Sequence, residues 1–136
     1  MCLTLSFFST VHQHVIDNKW HHIVFTWEST TGKAMAFIDG TFKKVGILAK
    51  GQTIPNGALV LGQELDAHIG GFDSEQAFQG NLTNVNIWDR VFSRNETTSL
   101  YQEGLCSRRQ GNVIGWDDLK VKRSGAIQVK KHPCQA

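Results

Sequence analysis

Oxygen-bearing side chains gather between Leu61 and Gly80, where the sequence reads LGQELDAHIGGFDSEQAFQG. Calcium takes about six to eight oxygen ligands from carboxylates, amides and backbone carbonyls on a flexible loop. The glycine pair at 70–71 lets such a loop turn back, and its candidate side chains are Glu64, Asp66, Asp73, Glu75 and Gln76. The stretch predicts a calcium loop. A solvated acidic loop without a metal is the alternative, and the spacing leaves both open.

The distribution of charge bears on this loop. No Lys or Arg occurs between Gly51 and Asp89, so that stretch has no cationic side chain to relieve repulsion among its carboxylates.

Seven basic residues lie instead between Arg108 and Lys131, where they predict a solvated surface or, alternatively, a phosphate- or heparin-binding patch. The whole chain carries only +2, which argues against a dedicated nucleic-acid or membrane-surface binder. Its apolar runs are also too short for a membrane span.

The histidine pair His21-His22 is a weaker candidate for chemistry. A metal role needs further ligands at fixed spacing, and the sequence shows none, so we predict packing and hydrogen bonding. The tryptophans are predicted to anchor the core rather than to form a ligand platform; they are Trp20, Trp27, Trp88 and Trp116.

Alternating apolar residues predict the elements that position these groups. Ile23, Phe25 and Trp27 alternate with smaller or polar residues and predict a strand over 20–28 with a buried face. Asp39-Gly40 predicts a hairpin between two further strands. The predicted strands after the first are Ala34–Asp39, Thr41–Leu48, Ala58–Leu61, Leu82–Asp89, Gly111–Trp116 and Gly125–Val129. These short strands between turns predict an all-β sandwich of antiparallel strands.

One short helix is predicted after the strand at 82–89. Ser93 and Glu96 have capping-box spacing, and Gly104 suits the end of the helix. At the other end of the chain, Met1–Phe8 lacks the basic start of a signal peptide and favours a strand. We therefore expect residues 1–14 to form an N-terminal strand or a fragment edge, and residues 15–136 to form the sandwich.

Four segments in order resemble the pentraxin family, to which C-reactive protein and serum amyloid P belong: WHHIVFTWES, FIDG, LVLGQELD and GNLTNVNIWD. The resemblance runs from about Val15 to Cys134. It implies a jelly-roll, concanavalin-like sandwich that binds ligands through Ca²⁺. In that family the residues matching Glu64, Asp66, Asp73 and Gln76 bind two calcium ions, and the residue matching Leu65 contributes its backbone carbonyl.

The sequence also departs from the family pattern. Asp73 replaces a glutamate, and Val24 stands where the family commonly has a disulfide cysteine. Only the C-terminal part of the domain is matched. The remaining part supplies an Asp-Asn pair to the first calcium site and the apolar pocket for phosphocholine. We therefore expect a truncated domain or a piece of a larger protein.

The resemblance further implies a disulfide between Cys106 and Cys134, with Cys2 left over. Two sequons for N-glycosylation are present. Asn95 begins the one at the predicted helix start, which would be accessible in a secreted protein. Asn81 begins the other at a predicted strand, where we expect it to be unused.

These features favour a non-catalytic, extracellular recognition module. Its calcium would bridge to an anionic or polar ligand such as a phosphorylated or carbohydrate group, and the fold is compatible with a homo-oligomer. One alternative is a calcium-free structural or adhesion module of a larger surface protein. Another is a lectin-fold glycosidase whose motif begins at Glu64-Leu65-Asp66. Retaining glycosidases need a second carboxylate about 5 Å away, and Ala67 and His68 stand where the motif should continue, so no enzyme is expected.

Overall fold

A computed structural model describes residues 14–55, 59–62, 77–119 and 127–130. Within them, one antiparallel sheet contains β1 (Ile23–Trp27), β2 (Lys33–Ile38) and β3 (Thr41–Ile47), in that order. Two helices follow, α1 (Arg94–Glu103) and α2 (Trp116–Leu119), and a 3₁₀ turn at Gly104–Cys106 extends the first. The chain divides into two compact units, Met1–Gln52 with Asn84–Ala136, and Thr53–Thr83.

One core cluster lies on one face of β2, and Phe37 on the opposite face is also buried, at 1% exposed. Ala34, Ala36 and Ile38 are at most 3% exposed. Phe25 of β1 pairs with Ala36, and Trp27 pairs with Ala34, so two aromatic rings lie beside small side chains. The indole Nε1–H of Trp27 also donates a hydrogen bond of 2.8 Å to the carbonyl of Leu48. Phe25 and Trp27 are half-buried against this core, as expected for that face, but Thr26 on the opposite face is 5% exposed, so burial does not separate the two faces of β1 as predicted.

The hairpin between β2 and β3 confirms the prediction made for Asp39-Gly40. Asp39 has φ 51° and Gly40 has φ 70°. Positive φ at both central residues is the requirement of a type I′ turn, whose twist matches that of the strands it joins. Asp tolerates this conformation better than most residues, and Gly tolerates it without a steric cost.

Helix α1 begins with the predicted capping box. Ser93 Oγ accepts a hydrogen bond from the Glu96 N–H, and the Glu96 carboxylate accepts one from the Ser93 N–H at 2.8 Å. The hydrogen bond from the Ser93 N–H has the largest effect on the pKa of Glu96, and the bond from Arg90 has the next largest. They lower this pKa to about 2. The helix buries Thr97 and Leu100.

Helix α1 also contacts the hairpin turn. Thr98 Oγ1 donates a hydrogen bond to the Gly40 carbonyl at 3.3 Å. A side chain on Gly40 would lie 3.0 Å from Cδ1 of Tyr101, so the tyrosine ring packs directly on the glycine backbone. The turn thus needs glycine for its φ angle and for the close approach of the helix.

The predicted strands at 82–89 and 111–116 are wrong. The structure has a single bridge there, between Ile87 and Ile114. Asn84 has φ 53°, which interrupts an extended strand. Its side chain donates hydrogen bonds to the carbonyls of Leu105 and Ser107, at 2.9 and 3.3 Å.

A second asparagine holds the later segment. Asn86 Oδ1 accepts hydrogen bonds from the N–H groups of Gly111 and Trp116, at 2.9 and 3.0 Å. Side-chain hydrogen bonds to the backbone thus replace the ladder that a strand would need. Trp116 then starts α2, so a second, four-residue helix stands where the sequence predicted the end of a strand.

Three smaller expectations also differ from the structure. Residues 59–61 and 127–129 carry no strand in the described part of their predicted ranges. Trp20 is 52% exposed and does not anchor the core. Ile23 is 53% exposed, although it shares the sheet face of Phe25.

We predict that Gly40→Ala destabilises the chain more than Gly51→Ala. Both glycines have φ of 70–75°, so each substitution carries a backbone cost of about 1–2 kcal/mol. At Gly40 the new methyl also displaces the Tyr101 ring, which should add about 1 kcal/mol, whereas nothing lies within 4 Å at Gly51. Urea unfolding of both variants measures the difference. Equal losses would show that Tyr101 does not constrain the turn.

Candidate functional site

The predicted calcium ligands lie outside the described residues; they are Glu64, Leu65, Asp66, Asp73 and Gln76. Their arrangement therefore stays a prediction. The structure does describe the chain on both sides of them, at residues 59–62 and 77–83. These flanking residues show where the two ends of the acidic segment lie.

The two flanks meet through a backbone hydrogen bond. The N–H of Phe78 donates to the carbonyl of Gly62 at 2.9 Å. Gly62 has φ 84°, a conformation that favours glycine, and a side chain there would lie 3.9 Å from Cβ of Phe78. The described residues that flank the predicted ligands on either side are thus joined by a backbone hydrogen bond within the Thr53–Thr83 unit.

Phe78 is held at this junction by a second glycine. A side chain on Gly80 would lie 2.8 Å from Cζ of Phe78, so the ring lies against the Gly80 backbone. Phe78 is nevertheless 53% exposed. The junction therefore combines a backbone hydrogen bond with a ring that packs on the backbone of Gly80.

Whether side chains in the described part of the chain could hold a metal ion is a separate question. Residues 14–55, 59–62, 77–119 and 127–130 contain no group of three or more His, Cys, Asp or Glu side chains that could hold a metal ion. The prediction that His21 and His22 serve packing and hydrogen bonding is confirmed for His21. Its two ring nitrogens lie 2.8 Å from carboxylate oxygens of Asp17 and Asp39, so neither nitrogen is open to a metal.

Sequence reasoning missed Asp17 and Asp39 as partners of His21. Asp17 precedes His21 by four residues, and Asp39 belongs to the hairpin motif, but nothing local predicts that they converge. His22 has a different environment. Burial lowers the pKa of its ring, whose centroid lies 6.0 Å from that of Tyr101.

Two further predicted site residues are described. Asn95 is exposed in the first turn of α1, while the hydroxyl of Thr97 is buried and donates a hydrogen bond to the Ser93 carbonyl. Cys106 is disulfide-bonded. Cys2 and Cys134 both lie outside the described residues, so the pairing with Cys134 stays a prediction, as does glycosylation of Asn95.

A profile of the Pentaxin family matches residues 6–131. This chain belongs to the pentaxin family. The predicted resemblance is therefore confirmed. The antiparallel sheet with few helices agrees with the β-sandwich that the resemblance implied.

Pentraxins among the curated proteins are similar to this chain over most of its length. Neuronal pentraxin-1 of Homo sapiens is 44% identical over 113 residues, which cover 80% of this chain and 26% of that protein. The "Sushi, von Willebrand factor type A, EGF and pentraxin domain-containing protein 1" of Rattus norvegicus is 39% identical over 117 residues, covering 85% and 3%. This pentraxin chain thus spans about a quarter or less of these relatives.

A solved pentraxin also resembles the fold. The native heptameric SAP-like pentraxin from Limulus polyphemus aligns with a TM-score of 0.64 and 27% sequence identity, covering 72% of this chain and 46% of that chain. The sandwich fold is thereby confirmed. Among the described residues, no helix is long and apolar enough to cross a membrane.

We predict that Cys106 pairs with Cys134. Oxidatively folded chain, digested without reduction, should yield a peptide in which these two cysteines are linked, and mass spectrometry identifies it. A Cys134→Ser variant should lose this peptide, whereas Cys2→Ser should retain it. A bridge from Cys106 to Cys2 in the unsubstituted chain would contradict the prediction.

Proposed function

We propose that this chain is the C-terminal part of a non-catalytic, extracellular recognition domain that binds its ligand through calcium. Glu64, Asp66, Asp73 and Gln76 would hold the ion with their side chains, and Leu65 with its carbonyl. Carboxylate, amide and carbonyl oxygens fit the preference of Ca²⁺ for oxygen ligands. The ion would bridge to an anionic or polar group, such as a phosphate or a carbohydrate hydroxyl.

The hydrogen bond between Phe78 and Gly62 carries this proposal. It supports a closed loop because the two ends of the acidic segment lie together. Closing a loop removes chain entropy before any ligand binds. Side chains on a closed loop can therefore converge on one ion at a smaller further cost than side chains on an open segment.

Charge supports the same interpretation. Carboxylates brought close together repel one another unless a cation lies between them. The sequence from Gly51 to Asp89 contains no Lys or Arg to supply that cation. A bound divalent ion would supply the missing positive charge and become the largest local charge of the site.

We expect weak calcium binding by the 136-residue chain. The family's Asp-Asn pair belongs to a part of the domain that this sequence does not match, so water would fill some coordination positions. The dissociation constant should then lie at the weak end for extracellular modules, on the order of 10⁻⁴–10⁻³ M.

The proposal predicts that Asp66→Asn weakens calcium binding more than Glu75→Gln. Both substitutions remove one negative charge from the same segment, but only Asp66 matches a family ligand. Titration calorimetry of the full chain with calcium chloride measures both affinities. The melting temperature should rise with calcium by mass action, and by less for Asp66→Asn.

Two results would contradict this proposal. If both variants responded equally, calcium would be attracted by the overall negative charge of the acidic segment and not held by particular ligands. No calcium heat up to about 10 mM, well above the expected dissociation constant, would favour the second candidate function, a calcium-free structural or adhesion module. The Rattus norvegicus relative is compatible with that candidate, because its name combines a pentraxin domain with other domains.

The family assignment also supports proposals about enzymatic activity and oligomeric state. Membership of a family of binding proteins favours a non-enzymatic role, and the segment after Glu64-Leu65-Asp66 lacks the next carboxylate of a glycosidase motif. The heptameric assembly of the Limulus polyphemus relative makes a homo-oligomer the expected form of the complete domain.

A further inference from the structure

The imidazole of His21 lies between two carboxylates. Its Nδ1 lies 2.8 Å from Oδ2 of Asp39, and its Nε2 lies 2.8 Å from Oδ1 of Asp17. The His21 side chain is 13% exposed, whereas those of Asp17 and Asp39 are 43% and 34% exposed. Both nitrogens of this mostly buried ring therefore lie within hydrogen-bond distance of carboxylate oxygens.

This geometry suits only the protonated ring. An imidazolium donates from both nitrogens, whereas a neutral imidazole donates from one and presents a lone pair at the other. A carboxylate 2.8 Å from that lone pair would be repelled. The hydrogen bonds that His21 donates to Asp17, which has the larger effect, and to Asp39 accordingly raise the pKa of His21 above its usual 6.5, and the bond donated by His21 lowers the pKa of Asp17.

The three side chains join two separate parts of the polypeptide. Asp17 lies in the segment before β1, where its Oδ1 also accepts a hydrogen bond from the Lys19 N–H at 3.0 Å. Asp39 lies in the β2–β3 turn, and its Oδ1 accepts the His22 N–H at 2.9 Å. Val15 provides an apolar contact between the same segment and the core. His21 provides the polar one.

We propose that His21 is a pH-dependent latch that holds residues 14–20 against the β2–β3 turn when it is protonated and releases them when it loses its proton. Because a raised folded-state pKa stabilises the protonated form, the latch is complete below about pH 6.5 and is lost as the pH rises through the folded-state pKa.

The charged groups around His21 determine what happens on release. Lys19 Nζ lies 3.4 Å from Oδ2 of Asp17, so it offers that carboxylate another partner once His21 is neutral. On the other side, His22 packs near Tyr101 of α1, and burial lowers the pKa of His22. His22 therefore loses its proton at lower pH than His21 and adds no charge in the range where the latch opens.

Backbone ¹⁵N relaxation of the full chain at about pH 6 and pH 8 tests this latch, since it reports the mobility of residues 14–20 directly. Order parameters there should fall from about 0.85 to below about 0.6 as the pH rises. His21→Gln should show the low values at both pH values, because glutamine carries no charge. His14→Gln, at an exposed histidine of the same segment, should behave like the unsubstituted chain.

A ring ¹⁵N titration gives an independent measurement. The midpoint for His21 should lie above the usual histidine value of 6.5 and should shift down in Asp17→Asn, because asparagine has nearly the same shape as aspartate but no charge. Should His21→Gln fail to fold, Asp17→Asn takes its place in the relaxation experiment and should release the segment at lower pH. Order parameters that do not change with pH, or a His21 midpoint at or below 6.5, would overturn the proposal.

Discussion

The described structure depends above all on the left-handed backbone at Asp39-Gly40. This turn sets the pairing of Ile38 with Thr41 and of Phe37 with Phe42, beyond which a bulge shifts the register, and each of its two residues contacts another part of the chain. The Asp39 carboxylate accepts the backbone N–H of His22 and faces the His21 ring. Gly40, lacking a side chain, lets Tyr101 of α1 approach within van der Waals distance. The sheet, the segment before it and the helix therefore meet at two residues, and a substitution there disturbs all three together.

The acidic loop depends on a different constraint. Its ends are joined by the Phe78–Gly62 hydrogen bond, which lies between short, irregular segments and not at the end of a paired strand. Calcium would then stabilise the loop by replacing carboxylate repulsion with coordination. Such a proposed site would be stabilised by mass action as the ion concentration rises.

The two acidic sites of the chain differ in how their negative charge is neutralised. At Asp17 and Asp39 the cation is built in, as a histidine whose charge depends on pH. In the segment 63–76 the sequence contains no Lys or Arg, so a cation has to come from solution. We propose that the first arrangement responds to protons and the second to a divalent metal.

The sequence by itself determined β1, β2, β3, the hairpin turn and the cap of α1, because each depends on residues that are near one another in the chain. It also determined the family, since the order of several motifs is a property of sequence; the calcium ligand set came with that resemblance, and its arrangement stays a prediction. Tertiary structure decided the rest. Leu82–Asp89 alternates like a strand, but Asn84 and Asn86 bind distant backbone groups and no ladder forms. His21 acquires Asp39 as a partner from across the hairpin. Such contacts depend on which distant groups the fold brings together, and the local sequence pattern does not predict them.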